Sequence, residues 1–345
     1  MARIGVIGCG MWGRNLIRNF FELGALAAVS DNAQDVANEC SAAFSVPALS
    51  PSQLLMSEEI DSVAIAVPPE AHAEIAISAL GRGKHVFVEK PAATEISDAT
   101  KMVAAARERG ATLMVGHLLR YHPAFRELMK IFSEGGIGKI EYVHTIRANH
   151  RTDFRGENAI WGFAPHDVSM ILALLGQLPC SVFARRQVSG DGSGPDAVVS
   201  LLEFPSGASG HMFASWLHPL REQRLIVSGD EGTLQFDDCA PWQSKLSIAR
   251  FGDQETEGIA SSALAGIQIS EEEPLKLECM HFLECVDSGR HPITNGQEAL
   301  AVLRVLDAIN ESVATGSRVR IDQSRRSVDG SAPPDDELRL ADPGD

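Results

Sequence analysis

Two side chains in this sequence are suited by type and setting to move a proton. Lys90, in Glu89-Lys90-Pro91, follows the apolar run Val86-Phe87-Val88. His166, in Pro165-His166-Asp167, opens a stretch whose Val168, Ile171, Leu172 and Leu175 recur at helical spacing. A lysine donates a hydrogen bond to a hydroxyl oxygen, and burial beside a cation lowers its pKa until it serves as a proton shuttle. The sequence predicts a helix from Pro165 to Leu175, with Pro in the first turn and Gly176 past the end. His166 in that first turn is disfavoured as imidazolium and so accepts a proton near neutral pH. Asp167 suits the same turn and partly opposes the shift.

A third motif calls for a phosphate. Gly8-Cys9-Gly10-Met11-Trp12-Gly13 lies directly between the apolar run Ile4 to Ile7 and a helical segment from Arg14 to Leu23. Gly8 provides the turn's backbone angles, Gly10 lets a pyrophosphate approach the main chain, and Gly13 lets helix and strand pack closely. The helix N-terminus then faces the anion. Asp31 ends the next apolar run about 20 residues beyond the glycines, where a carboxylate binds the adenosine ribose and repels a 2′-phosphate. The cofactor expected is NAD rather than NADP.

These groups need a scaffold, and its pattern is legible. Strands at Ile4 to Ile7, Leu26 to Val29, Val63 to Val67, His85 to Val88 and Thr112 to Val115 alternate with helices, which means a parallel, doubly wound sheet. Ligands bind beyond the carboxyl ends of such strands. That edge selects Gly8, Gly10, Met11, Trp12, Gly13, Asp31, Pro68, His72 and Glu89 for the cofactor, with Lys90 facing it, and Gly116-His117 beside them. From Ile140 the strands run longer and are joined by turns, implying a second, α+β domain with a largely antiparallel open sheet. Helices follow at 275–288 and 296–315. The expected division is a Rossmann domain over 1–121, a substrate domain over 122–322, with helix 296–315 able to pack back on the first, and a flexible polar tail over 323–345.

Arg120 and Tyr121 lie in the connector between the domains, and Arg151 and Asn158 in a segment dense in groups that bind phosphate or hydroxyls. With Trp161 and Asp167 they are the candidates for substrate contact. The net charge of −16 excludes nonspecific nucleic-acid and anionic-membrane binding, and no apolar run approaches the ~18 residues of a bilayer span. Six scattered cysteines without a C-x-x-C suggest neither zinc nor disulfides. No signal-peptide pattern opens the chain, so a cytoplasmic location is expected.

The glycine loop with Asp31, Glu89-Lys90-Pro91, and His166 at a helix start together resemble the glucose-fructose oxidoreductase, inositol dehydrogenase and rhizopine-catabolism (Gfo/Idh/MocA) family, over nearly all of residues 1–320. The resemblance implies a Rossmann domain, a C-terminal domain whose open sheet mediates homo-oligomerisation, and hydride transfer at a sugar or polyol carbinol, with Lys90 and His166 as the family's lysine and histidine. Many members carry an aspartate four residues before the histidine and another three after; here Gly162 and Ser169 stand there. The run Ala159 to Ser169 looks like the branch oxidising UDP-linked acetamido sugars, UDP-N-acetylglucosamine or its uronic acid, at C3. A PLP aminotransferase takes the 3-keto product in that branch. Competing readings are an oxidoreductase or ketoreductase acting on another sugar or polyol, and a non-catalytic NAD(H)-sensing regulator, against which the retention of Lys90 and His166 argues.

Overall fold

Short runs of buried aliphatic residues, each stopped by a glycine, proline or polar turn, set the boundaries of the first sheet. The computed structural model describes residues 2–150, 158–189, 196–251 and 264–322. The first five strands are β1 (Ile4–Ile7), β2 (Leu26–Ser30), β3 (Ser62–Ile65), β4 (His85–Glu89) and β5 (Leu113–Gly116). They pair parallel in the order β2-β1-β3-β4-β5. Helices α1 (Met11–Glu22), α2 (Gln34–Phe44), α3 (Pro51–Met56), α4 (His72–Gly81) and α5 (Ile96–Arg109) connect them. Burial on both faces explains why these strands read as continuous apolar runs.

After α6 (Pro123–Ser133) the chain alternates less regularly. It forms β6 (Ile140–His150), α7 (Ala159–Leu175), β7 (Ser181–Val188), β8 (Asp196–Glu203), β9 (Ser209–Ser215), β10 (Leu217–Gly229), β11 (Gly232–Asp237), β12 (Leu246–Arg250) and β13 (Ala265–Ile267). Then come α8 (Pro274–Ser288), α9 (Gly296–Thr315) and β14 (Val319–Arg320). The second sheet has nine strands in the order β13-β12-β11-β10-β6-β9-β8-β7-β14. Only the β6–β9 pairing among them is parallel, so the sheet is mixed and mostly antiparallel. Helices α7 and α9 pack on one of its faces. On the other, Ile146, Phe213 and Val199 stand in register across β6, β9 and β8, with Val199 58% exposed.

The end of the chain returns to the first sheet. Val115 N–H donates to the Thr294 carbonyl at 2.8 Å, Asn295 bridges Met114, and α9 packs against α5 and β5 as well as α7 and β7. Helix α8 lies on α1, and Phe20, Phe87 and Phe282 meet edge-on with centroids 5.8 to 6.5 Å apart. The core beneath β1 and β4 therefore contains Leu275, Cys279, Phe282 and Leu283 from α8.

One predicted element is corrected. The helix expected to start at Pro165 starts at Ala159, where Asn158 caps it by accepting from the Trp161 N–H, and Pro165 lies inside it. Helix α6 was passed over although Pro123 starts it and Phe125, Leu128, Met129 and Phe132 recur at helical spacing, and strands β12 and β13 were not anticipated. The 323–345 tail lies outside the described residues. No helix among the described residues is long and apolar enough to cross a membrane.

Candidate active site

The glycine loop is built for a dinucleotide. Gly8 has φ +103°, and a Cβ there would strike the Ala66 carbonyl; a Cβ on Gly13 would strike the Gly8 carbonyl. Nothing lies within 4 Å of the Cβ position of Gly10, so the approach to that backbone is open. Helix α1 begins at Gly10 with no side-chain cap and no acid in its first turn, leaving its N–H groups and dipole for an anion. Asp31 accepts from Cys9 N–H at 2.7 Å and from Ala33 N–H at 2.8 Å, so the expected ribose acid also pins the loop. These residues fit NAD.

Met11 projects outward, 80% exposed, while Trp12 reaches back and donates its indole N–H to Glu89 Oε1 at 2.5 Å. Burial pushes the Glu89 carboxyl up to about 7 against the pull of Trp12 and Lys90. Pro68 accepts from Ala71 N–H and starts the turn into α4. His72 was expected at the cofactor; it is buried instead, with Nδ1 2.8 Å from the Pro91 carbonyl and Nε2 2.8 Å from the Val67 carbonyl. It thereby ties the end of β3 to the turn that carries Lys90. The Lys90–Pro91 bond is cis.

Lys90 and His166 are brought together by α7. Lys90 Nζ donates to the Gly162 carbonyl at 3.4 Å, one helical turn before His166. His166 is not in a first turn, so the helix dipole does not set its charge. Burial holds its pKa well below the usual histidine range, assisted by Lys90, Arg147 and His117. The imidazole is neutral at physiological pH, and its buried Nδ1 has no hydrogen-bond partner among the described residues. Asp167 is no first-turn acid either: Arg147 Nε and Nη2 each lie 3.0 Å from its Oδ1, inside the protein. Burial raises its pKa while Arg147 opposes.

Four other substrate candidates are placed, and most are already engaged. Asn158 Oδ1 is spent on the α7 cap. Tyr121 is buried with its hydroxyl 2.8 Å from Thr294 Oγ1. Arg120 Nη1 lies 3.4 Å from both the Ser169 carbonyl and Glu298 Oε1. Trp161 lines a cavity of about 160 Å³ with Thr94, Ser97 and Asp307. Arg151 lies outside the described residues.

The structure adds residues that sequence reasoning passed over. A Cβ on Gly162 would sit 2.6 Å from Trp216 Cζ2, and Trp216 packs on Phe163 with centroids 4.0 Å apart. The tryptophan therefore occupies the space a side chain at 162 would need. Glu298, at the start of α9, reaches His117, Arg120 and Ser169. Its only local signal is the helix-start pattern, and its partners lie well over a hundred residues away.

Comparison with known proteins matches two stretches of the chain. Residues 2–117 match the oxidoreductase family described as an NAD-binding Rossmann fold, and residues 125–235 match the GFO/IDH/MocA C-terminal domain. The chain is 30% identical over 276 residues to 2,7-anhydro-N-acetylneuraminate hydratase of Escherichia coli, covering 74% of this chain and 71% of that protein. To scyllo-inositol 2-dehydrogenase (NAD(+)) of Bacillus subtilis it is 26% identical, covering 80% and 82%. UDP-N-acetylglucosamine 3-dehydrogenase of Acidithiobacillus ferrooxidans is 26% identical over 87% of this chain and 94% of its own. The solved structure of that dehydrogenase superposes with a TM-score of 0.82 at 25% identity, over 91% of this chain and 97% of the other. With its glycine cradle, its Lys90–α7 contact and both domain matches, the chain belongs to the Gfo/Idh/MocA family of NAD-dependent oxidoreductases.

Proposed function

We propose that the protein oxidises the C3 hydroxyl of a nucleotide-linked acetamido sugar, UDP-N-acetylglucosamine or its uronic acid, to the 3-keto sugar. The observation that carries the reading is the meeting of Lys90 with the Gly162–His166 turn. It pairs a cationic donor with a buried neutral imidazole where Trp216 excludes a side chain at 162. The likeness to UDP-N-acetylglucosamine 3-dehydrogenase over nearly the whole of that protein supports the choice of sugar. NAD, when bound, supplies the hydride acceptor.

The protein's own groups handle the proton. The hydroxyl is held between Lys90 and His166, and the neutral His166, or Lys90 as its neutral amine, removes the proton as negative charge develops on the oxygen. A positioned donor stabilises that charge more in the transition state than in the ground state. Gly8 to Gly13 and Asp31 hold the cofactor. The uncovered sheet face bearing Ile146, Phe213 and Val199 is where a second copy of the chain would dock, and the cytoplasm is where the enzyme works.

Native mass spectrometry of the purified protein, followed by a turnover assay with whatever is retained, tests the reading. Retained NAD and NADH formation with UDP-N-acetylglucosamine or its uronic acid are expected. NADH formation with inositols or free sugars alone overturns the choice of substrate. The relation to scyllo-inositol 2-dehydrogenase makes a polyol the second reading.

A further inference from the structure

Glu298 comes to the site from the far end of the chain. It stands in the first turn of α9, where Asn295 accepts from the Gln297 and Glu298 N–H groups and fixes the helix start. Its side chain is only 13% exposed, and two segments converge on it. Ser169, three residues past His166 in α7, donates its hydroxyl to Oε1 at 2.5 Å. From the segment after β5, Arg120 Nη1 lies 3.4 Å from the same oxygen, and His117 Nε2 lies 3.4 Å from Oε2.

A carboxylate facing a ring nitrogen favours the tautomer with the proton on that nitrogen. Glu298 Oε2 has no hydrogen-bond partner among the described residues, and a proton on His117 Nε2, 3.4 Å away, faces it and leaves the ring's lone pair on Nδ1. That Nδ1 is buried and has no partner among the described residues, as is true of His166 Nδ1. An unpaired buried acceptor is costly, and the cost is relieved when a donor arrives.

The charges around the pair decide what Glu298 is for. His117 faces Glu298, Arg120 and Lys90, and His166 faces Lys90, Arg147 and His117. Arg147 is already matched by Asp167. A proton taken from substrate adds positive charge to this nest; Glu89 lies beside Lys90 but accepts from Trp12 and has its pKa pushed up by burial, and Glu298 is the further carboxylate turned toward it.

Resting on the dehydrogenase reading above, we propose that Glu298 completes the proton-handling site. It fixes the His117 tautomer and offsets the positive charge that accumulates among Lys90, His166 and His117 when the substrate hydroxyl loses its proton. The proton passes from the hydroxyl oxygen to the neutral His166, or to Lys90 in its neutral amine form, and Glu298 does not receive it. Glu298 and His117 are therefore positioning residues.

Glu298→Gln keeps the size and the Ser169 bond while removing the charge. Nitrogen-15 histidine NMR of the full chain without substrate, with His117 assigned by His117→Gln, gives a readout independent of turnover. The wild type is expected to hold the Nε2–H tautomer at neutral pH. In Glu298→Gln the tautomers mix and the His117 midpoint falls by about one pH unit, because imidazolium loses its counter-charge. In kinetics, the acid limb of kcat moves to lower pH by a similar amount and the plateau falls about tenfold, while the KM for NAD stays near that of the wild type. Should Glu298→Gln not fold, Ser169→Ala, which releases the carboxylate, shifts both readouts the same way by less. An Nδ1–H tautomer in the wild type, or an unmoved midpoint and limb in the variants, overturns the proposal. A wild type that oxidises no sugar overturns the dehydrogenase reading instead, and the NMR result still decides the role of Glu298.

Discussion

Lys90 stands out in the sequence because it follows an apolar run at the ligand-binding edge of a parallel sheet, and His166 because it opens a helical run, and the fold brings the Gly162–His166 turn to Lys90. Residue type alone was a poorer guide. Tyr121 and Asn158 are good ligands by type, yet their partners, Thr294 and the Trp161 N–H, are fixed by packing and capping. His166 is neutral, as its type and setting suggested, but burial and neighbouring cations make it so rather than a helix terminus. Replacing Lys90 with Met is expected to lower kcat about 10²- to 10⁴-fold with NAD affinity nearly unchanged, measured by steady-state kinetics and fluorescence titration. Unimpaired turnover would remove Lys90 from the mechanism. Asp31→Ala is expected to weaken NAD about tenfold or more and narrow the preference over NADP. The carboxylate removed is a charged acceptor that also holds Cys9 and Ala33. Dissociation constants for both cofactors provide the check.

Helices and strands were legible where their periodicity was strong, and boundaries failed where one local signal outweighed another. Pro165 has the character of a first-turn residue, yet Asn158 supplies the working cap and the helix runs through the proline. That extra length presents the Gly162 carbonyl to Lys90 one turn before His166. Gly162→Ala would push a methyl into Trp216 and is expected to destabilise the protein by about 1–3 kcal/mol. Urea unfolding should show a lower midpoint with an unchanged slope. A variant as stable as the wild type would mean that Trp216 yields without cost.

Seven histidines, His72, His85, His117, His122, His144, His166 and His281, have pKa values lowered mainly by burial, His122 and His281 to about 4. In each, the unfolded chain holds the proton more tightly, so stability is lost as pH falls below about 6.5 toward the folded value. Glu89, Asp167 and Glu278, raised by burial, act oppositely and gain stability over the acid side of neutrality. The histidines outnumber them. The melting temperature is therefore expected to drop by several degrees between about pH 7 and about pH 5, as scanning calorimetry can measure. A melting temperature flat across that range would show that the carboxyls compensate.

Phe282 closes on Phe20 and Phe87, two rings from the first hundred residues. During synthesis the nucleotide-binding sheet leaves the ribosome well before the helix that completes its core. At about 5–20 residues per second, the gap between residue 121 and residue 282 lasts roughly ten to thirty seconds. For that interval the nascent chain presents an aromatic surface with its own cover still untranslated. The order of translation leaves the core of the first third of the protein incomplete until α8 arrives.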